Sequence, residues 1–157
     1  MENKRRKILK TGGGVTLLAL VAAAGWLKPG AAAAAGWNKA AFETKNLNDT
    51  MKALGGGAPV QSKDIAFVST PDIAENGAVV PIGIASSIPK TESIAILIEK
   101  NPNMLAAVFE IPPGTDAAIS TRVKMGGTSN VYALVKADGK YYYTSKEIKV
   151  TIGGCGG

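Results

Sequence analysis

The segment Ser93-Ile94-Ala95-Ile96-Leu97-Ile98-Glu99 decides the fold class, because isoleucine occupies every second position at its centre. Residues two apart along a β-strand point to the same face of a sheet. Ile94, Ile96 and Ile98 would therefore share one face, whereas an α-helix would repeat its apolar positions every three or four residues. The segment predicts a β-strand with one apolar face.

Six further segments have the same character, and each is bounded by turn residues such as Pro112-Pro113-Gly114 or Asp138-Gly139. Pro81 lies inside one of them and predicts an edge position or a bulge there, because proline has no N–H to donate. Short strands separated by turns at a spacing of about ten residues are typical of an antiparallel β-sandwich. The seven predicted strands cover residues 64–70, 79–86, 93–99, 106–111, 119–125, 130–137 and 141–152.

A short amphipathic helix is predicted ahead of the strands, over residues 40–54. Three glycines, Gly55 to Gly57, would end it. A helix of this length is only marginally stable by itself, so we expect it to pack against the sandwich. The sequence thus predicts a helix and linker over residues 36–58 and a sandwich domain over residues 59–152. The apolar positions of the helix are Ala41, Phe42, Leu47, Met51 and Leu54.

Residues 1–35 have the order of an export signal: a basic start, an apolar run over residues 12–27, and small alanines at residues 31–35. The apolar run is shorter than the ~20 residues that a membrane-spanning helix needs, which favours a removable signal over an anchor. This segment also carries a net charge of +5 out of the +6 of the whole chain. The remaining chain is nearly neutral, so its charge does not indicate a nucleic-acid-binding protein.

The pair Arg5-Arg6 indicates the twin-arginine route of export. Lys4 and Ile8 depart from the residues that usually flank such a pair, so the general secretory route stays open. Either route predicts a periplasmic protein without a stable membrane anchor.

The chain contains no histidine and one cysteine. These counts exclude a Ser-His-Asp or Cys-His catalytic arrangement within this chain, an internal disulfide, and a zinc or iron–sulfur site. We expect neither a metal nor a cofactor, and we expect a protein that is not itself an enzyme.

The single cysteine lies in the terminal sequence Gly153-Gly154-Cys155-Gly156-Gly157. Glycine has no Cβ, so residues 153–157 predict a slender, flexible arm that can bring the Cys155 thiol into a narrow cleft of another protein. An unactivated thiol has a pKa near 8.5, so activation would have to come from that cleft. An ordinary frayed terminus, or an exported structural β-sandwich that uses Cys155 only for an intermolecular disulfide, remains an alternative.

The last nine residues, Lys149 to Gly157, resemble the carrier motif of the SoxY family of sulfur carriers. Three internal segments are also similar to that family: residues 74–81, 99–102 and 120–125, as is the end of the predicted helix at residues 53–56. The terminal GGCGG is the most specific of these features, and it shows no departure from the family's pattern.

This resemblance implies an immunoglobulin-like sandwich that pairs with a second small β-protein, SoxZ. It also implies that Cys155 is the covalent attachment site for sulfur intermediates of thiosulfate oxidation. A haem enzyme would join thiosulfate to the cysteine, a hydrolase would release sulfate, and a sulfane dehydrogenase would act where it is present.

Arg122 and Lys124 are a further candidate site, because they lie two residues apart on one predicted strand face. They would contact an anionic sulfur adduct or a partner, or else they form a solvated strand face. The run Tyr141-Tyr142-Tyr143 is open to two interpretations, an interface patch or packing within the sandwich.

Overall fold

A computed structural model of the protein describes residues 38–151. The predicted export signal (residues 1–35) and the predicted arm with its attachment cysteine (residues 153–157) lie outside the described residues.

The described chain is mainly β and forms an immunoglobulin-like sandwich of two sheets, as predicted. All seven predicted strands are present. Two further strands, of two residues each, are too short to show any period in the sequence. The helices are α1 (Lys39–Phe42) and α2 (Leu47–Ala53), and the strands are β1 (Val60–Gln61), β2 (Ile65–Val68), β3 (Ile73–Ala74), β4 (Val80–Ser86), β5 (Thr91–Ile98), β6 (Leu105–Glu110), β7 (Ala118–Val123), β8 (Ser129–Ala137) and β9 (Lys140–Val150).

The larger sheet has the strand order β1-β9-β8-β5-β6, and β3 also pairs with β9. The smaller sheet has the order β2-β4-β7. Within each sheet the long strands pair in antiparallel fashion, whereas β1 and β3 run parallel to β9 along the same edge. The chain therefore crosses between the sheets several times. The segment between β2 and β4 contains β3, which pairs with the edge of β9 in the larger sheet.

The alternating strand β5 is buried on both of its faces. Ile94, Ile96 and Ile98 are fully buried between the two sheets, as the sequence period predicts. Ala95 and Leu97 point to the other face and are buried beneath the helices. Strands β6 and β8 flank β5 along its two edges, so β5 is an interior strand of the larger sheet.

The predicted helix is divided into α1 and α2 at residues 43–46. Asn46 has an extended backbone (φ −144°, ψ 161°), and its side chain accepts a hydrogen bond from the Asp49 N–H at 2.9 Å. That contact satisfies a donor at the start of α2, so Asn46 acts as an N-cap instead of continuing a helix. Ala41 and Met51 then pack against Leu97 and Leu134 on the outer face of the larger sheet.

Pro81 lies in the middle strand of the smaller sheet. Strand β2 ends at Val68, opposite Gly83, so Pro81 has a paired neighbour on one side only, where it faces Arg122 of β7. The proline thus occupies a local edge of a strand that is central elsewhere, which is the position its missing N–H requires.

Candidate functional site

The end of β9 is the part of the described chain that leads to Cys155. Lys149 and Val150 pair with Ile73 and Ala74 of β3, and the Thr151 N–H donates to the Ala74 carbonyl oxygen at 3.0 Å. From the opposite side, the Val150 N–H donates to the Thr128 hydroxyl at 3.0 Å. Hydrogen bonds from two directions therefore hold the chain up to its last described residue, Thr151, which is exposed.

The crossover segment (residues 69–79) supplies one of these two supports. It leaves β2 at Thr70, whose hydroxyl accepts from the Gly83 N–H at 3.0 Å and continues the pairing that β2 has ended. The Lys146 ammonium of β9 then donates to the Thr70 carbonyl oxygen at 2.7 Å and pairs with the Asp72 carboxylate at 2.9 Å. Lys146 thus fastens the crossover segment to β9 between β1 and β3.

The turn at Asn76-Gly77 closes the crossover segment. The Asn76 side chain accepts from the Ala78 N–H at 2.9 Å, and the Gly77 carbonyl oxygen accepts from the Met125 N–H at 2.7 Å. A Cβ at Gly77 would lie 2.6 Å from the Met125 carbonyl oxygen and 2.8 Å from a methyl group of Val150. Glycine is needed here because the backbone of Met125 and the side chain of Val150 both approach it closely.

Asn101 joins two more loops at the same end of the sandwich. Its amide nitrogen donates to the Lys124 carbonyl oxygen at 2.8 Å, and its amide oxygen accepts from the Gly126 N–H at 3.1 Å. The Lys100 N–H donates to the Ser129 hydroxyl at 3.0 Å, which adds the start of β8. We call this end of the sandwich the arm pole and define it by residues 75–79, 99–104, 124–128 and Thr151.

The reach of the thiol from this pole follows from chain geometry. Cys155 is four residues beyond Thr151. An extended chain spans at most about 3.5 Å per residue, so Cys155 lies within about 14 Å of Thr151. The described structure thus supplies a hydrogen-bonded base from which a short tail starts at an exposed residue.

The two cationic candidates have different surroundings. Lys124 follows the end of β7, within the arm pole, and is exposed. Arg122 is also exposed, but it lies in β7 opposite Pro81, on the outward face of the smaller sheet. Neither forms a salt bridge with a residue in the described range 38–151, and only Lys124 is joined to the base of the arm.

The three tyrosines pack within the fold. Tyr142 packs on the core between the sheets, whereas Tyr141 and Tyr143 pack on the cluster beneath the helices. The Tyr141 hydroxyl donates to the Leu54 carbonyl oxygen at 2.9 Å, and burial raises the pKa of this phenol. The half-buried aromatic run therefore attaches the helices to the larger sheet.

Other features of the described residues lie away from this pole. A depression of about 410 Å³, lined in part by Glu92, Ile111 and Pro113, lies at the start of β5, at the opposite end from the arm pole. Residues 38–151 contain no group of three or more cysteine, aspartate or glutamate side chains placed to hold a metal ion. None of the helices in this range is long and apolar enough to cross a bilayer.

Comparison with known proteins identifies the family. The family model described as "Sulfur oxidation protein SoxY" matches residues 50–155, a range that includes Cys155. The solved structure of the sulfur carrier protein SoxY from Chlorobium limicola f thiosulfatophilum is 38% identical, with a TM-score of 0.60 over 67% of this chain and 96% of that chain. No curated protein matches significantly.

Two other solved structures are much less similar. A structure of the bacterial superantigen toxic shock syndrome toxin-1 is 12% identical, with a TM-score of 0.41 over 55% of this chain and 98% of that chain. The human F-spondin reeler domain is 10% identical, with a TM-score of 0.43 over 61% of this chain and 94% of that chain. Both scores are too low to bear on fold or function.

The family match and the SoxY structure agree with each other and with the resemblance seen in the sequence. The chain belongs to the SoxY family, the sulfur carriers of the Sox sulfur-oxidation system, whose members work with Sox partners such as SoxZ.

Proposed function

We propose that this chain holds sulfur intermediates covalently on Cys155 and presents them to partner enzymes on the arm formed by residues 153–157. The observation that carries the proposal is the hydrogen-bonded exit of β9 at the arm pole. It ends at exposed Thr151, four residues before the cysteine that the family match includes. A tail that starts at a fixed, exposed point can enter a cleft without unfolding the sandwich.

The proposed loading step joins thiosulfate to the Cys155 thiol. The thiol loses its proton, a sulfur–sulfur bond forms to the terminal sulfur of thiosulfate, and two electrons pass to a haem-containing partner enzyme. The product is a cysteine S-thiosulfonate. A hydrolase then adds water to the sulfonate group and releases sulfate and one proton, leaving a persulfide (–S–SH) on Cys155. A sulfane dehydrogenase, where present, oxidises the remaining outer sulfur.

In this scheme the chain is a carrier that is not itself catalytic. The 157 residues contain no histidine to act as a base for the Cys155 thiol. Activation of the thiol therefore falls to the partner's active site. The order of residues 1–35 supports export to the periplasm. The pair Arg5-Arg6 favours export by the twin-arginine route. A SoxZ-like subunit would complete a heterodimer.

The test is intact mass spectrometry of the exported protein after incubation with thiosulfate and the purified Sox enzymes of the same organism. We expect an added mass of thiosulfonate, then of one sulfur atom, on the wild-type chain, and complete loss of both with a thiol reductant. Cys155→Ser should carry neither adduct and should support no turnover while it keeps the wild-type circular dichroism spectrum.

A relocated thiol is the matched control. Ser145 is exposed on β9, so Cys155→Ser combined with Ser145→Cys keeps one surface thiol but removes it from the arm. This variant should also fail to support turnover. Full activity of either variant would contradict the proposal, and a disulfide-linked dimer without any sulfur adduct would favour the structural alternative.

A further inference from the structure

The dipeptide Asn76-Gly77 is the one place in the sequence where glycine follows asparagine. The side-chain amide of an asparagine can be attacked by the backbone nitrogen of the next residue, which closes a five-membered imide ring. Glycine permits this attack best, because it has no Cβ to obstruct the ring and has the widest freedom of backbone rotation. The pair therefore has a chemical reactivity that its structural role as a turn does not use.

The reacting groups of this turn are accessible. Asn76 is exposed, and among residues 38–151 nothing accepts a hydrogen bond from the Gly77 N–H, so the nitrogen gives up no bond when it attacks. The turn Asp138-Gly139 differs, because the Gly139 N–H donates to the Glu92 carboxylate at 3.1 Å. An ionised aspartate also resists attack by a nucleophile. Of these two turns, the one at Asn76 is the reactive one.

Three hydrogen bonds restrain the Asn76 turn in the folded protein. The Asn76 side-chain oxygen accepts from the Ala78 N–H at 2.9 Å, and its carbonyl oxygen accepts from the Val79 N–H at 3.3 Å. The Gly77 carbonyl oxygen accepts from the Met125 N–H at 2.7 Å. A covalent bond to the Gly77 nitrogen needs a much closer approach than a hydrogen-bonded turn allows, so Asn76 must rotate first. The reaction therefore depends on how often this part of the arm pole opens.

Asn101 controls the third of these bonds from outside the turn. Its side-chain amide holds the Lys124 carbonyl oxygen at 2.8 Å and the Gly126 N–H at 3.1 Å, which fixes the loop on both sides of Met125. Loss of the Asn101 side chain would free this loop, and with it the Met125 N–H that restrains Gly77. Asn101 is thus expected to slow ring closure at Asn76 without touching the reacting groups.

We propose that Asn76 is a spontaneous modification site of the folded protein, converted to aspartate and isoaspartate at a rate set by local opening of the arm pole. The Gly77 nitrogen bonds to the side-chain carbonyl carbon of Asn76, and its proton leaves with the amide nitrogen as ammonia. Water then cleaves one carbonyl–nitrogen bond of the imide. Cleavage on the side-chain side gives aspartate, and cleavage on the main-chain side gives isoaspartate. No oxidant or reductant takes part.

The two products differ in their effect on the arm pole. Aspartate keeps an oxygen that can accept from the Ala78 N–H. Isoaspartate adds one methylene group to the main chain directly before Gly77. A Cβ at Gly77 would already lie 2.6 Å from the Met125 carbonyl oxygen and 2.8 Å from a Val150 methyl group, so a displaced backbone has little room there. Isoaspartate should therefore break the bond between Met125 and Gly77 and loosen the Val150 end of β9.

The test is peptide mapping by mass spectrometry of the purified, folded chain during incubation in mildly alkaline buffer. We expect Asn76 to be the first asparagine of residues 38–151 to become an acid, with both isomers present. Asn101→Ala should speed this conversion about tenfold, because two hydrogen bonds to the loop are lost. Tyr141→Phe is the matched control and should change the rate less than about twofold, because it removes a bond at the other end of β9. Asn76→Gln should prevent the conversion, since a longer side chain closes a six-membered ring much more slowly.

A second variant and a second measurement complete the test. Asn101→Asp keeps an oxygen for the Gly126 N–H, so it replaces Asn101→Ala should that variant fail to fold, and it should speed the conversion less. In hydrogen exchange, the isoaspartate form should exchange the Val150 amide faster than the wild type, whereas Asn76→Asp should not. Conversion first at another asparagine, equal acceleration by the Asn101 variants and Tyr141→Phe, or wild-type exchange at Val150 in the isoaspartate form would overturn the proposal.

Discussion

The Met125 N–H donates to the Gly77 carbonyl oxygen at 2.7 Å, and this bond joins the crossover segment to the loop that follows β7. The two residues are 48 positions apart in the sequence, yet they close the same pole from which the chain runs on to Cys155. The base of the arm is therefore built from contacts between distant segments, and its integrity can be tested one contact at a time.

Gly77→Val should destabilise the protein by about 2 kcal/mol, because overpacking a tight site typically costs 1–3 kcal/mol. The added Cβ would meet the Met125 carbonyl oxygen, which as backbone cannot swing aside. Gly127→Ala is the matched control, since a Cβ at Gly127 would have no atom within 4 Å. Urea denaturation followed by circular dichroism measures both, and equal midpoints would show that the close approach at Gly77 is not structurally required.

Lys146→Met should cost about 1 kcal/mol of unfolding free energy. Methionine keeps the apolar stem but loses the bonds to the Thr70 carbonyl oxygen and the Asp72 carboxylate. Asp72→Asn should have a smaller effect, because the Asp72 side chain is 87% exposed and exposed ion pairs contribute little. If Asp72→Asn destabilised the protein as much as Lys146→Met in the same urea titration, the ion pair with Asp72, and not the hydrogen bond to Thr70, would account for the contribution of Lys146 to stability.

Tyr141→Phe should likewise destabilise the protein by about 1 kcal/mol, because it leaves the Leu54 carbonyl oxygen without its hydroxyl donor. Tyr142→Phe is the matched control, since its hydroxyl makes no hydrogen bond to a residue within the range 38–151. Thermal unfolding monitored by calorimetry would compare the two. A lower melting temperature for Tyr142→Phe than for Tyr141→Phe would argue that the bond to Leu54 does not attach the helices.

Much of the sandwich is visible in the sequence, because each long strand carries its own apolar period and its own turn residues. The parallel strands β1 and β3 are not, since two residues cannot show a period and their pairing with β9 joins distant segments. The break between α1 and α2 could have been suspected from Asn46, a favourable N-cap residue. The predicted helix nevertheless runs through the break at residues 43–46, because Leu47 and Met51 continue the helical spacing of apolar residues after it.

The candidate site also combines features that the sequence shows with features that only the folded structure shows. The glycines around Cys155 and the turn at Asn76-Gly77 are local signals that the sequence displays. The bridge from Asn101 to Lys124 and the bond from Lys146 to Thr70 depend on residues 23 and 76 positions apart. Such contacts form only when the strands are paired in the folded protein, so no local pattern of the sequence predicts them.

Glu92→Gln should remove an acid-sensitive part of the stability. The side-chain hydrogen bond from Lys136, at 2.9 Å, lowers the pKa of Glu92 below its ordinary value of 4.5, and the Gly139 N–H adds to this effect. A carboxylate whose pKa is lowered by folding stabilises the protein above about pH 4.5 and loses that contribution as the pH falls through the folded pKa. The melting temperatures of wild type and Glu92→Gln should thus differ at pH 7 and converge as the pH falls through the folded pKa of Glu92.

Glu147 provides the control for this pH dependence, because it is exposed and forms no salt bridge with another residue in the range 38–151. Glu147→Gln removes a carboxylate without such a partner, so it should not reproduce the pH-dependent difference seen with Glu92→Gln. A gap between wild type and Glu92→Gln that did not narrow as the pH was lowered would mean that the Lys136 pair is not its source.

Lys124→Ala should change how the Cys155 thiol discriminates between charged and neutral reagents. Lys124 lies in the arm pole, and the arm keeps the thiol within about 14 Å of Thr151, which is comparable to the ~10 Å screening length at 0.1 M salt. Removing this positive charge should slow the reaction with an anionic disulfide such as 5,5′-dithiobis(2-nitrobenzoate) by about twofold at low salt. The rate with neutral 4,4′-dithiodipyridine should stay the same, as should both rates for Lys140→Ala, at the opposite end of β9. An equal slowing with both reagents would mean that Lys124 acts on access to the thiol and not through its charge.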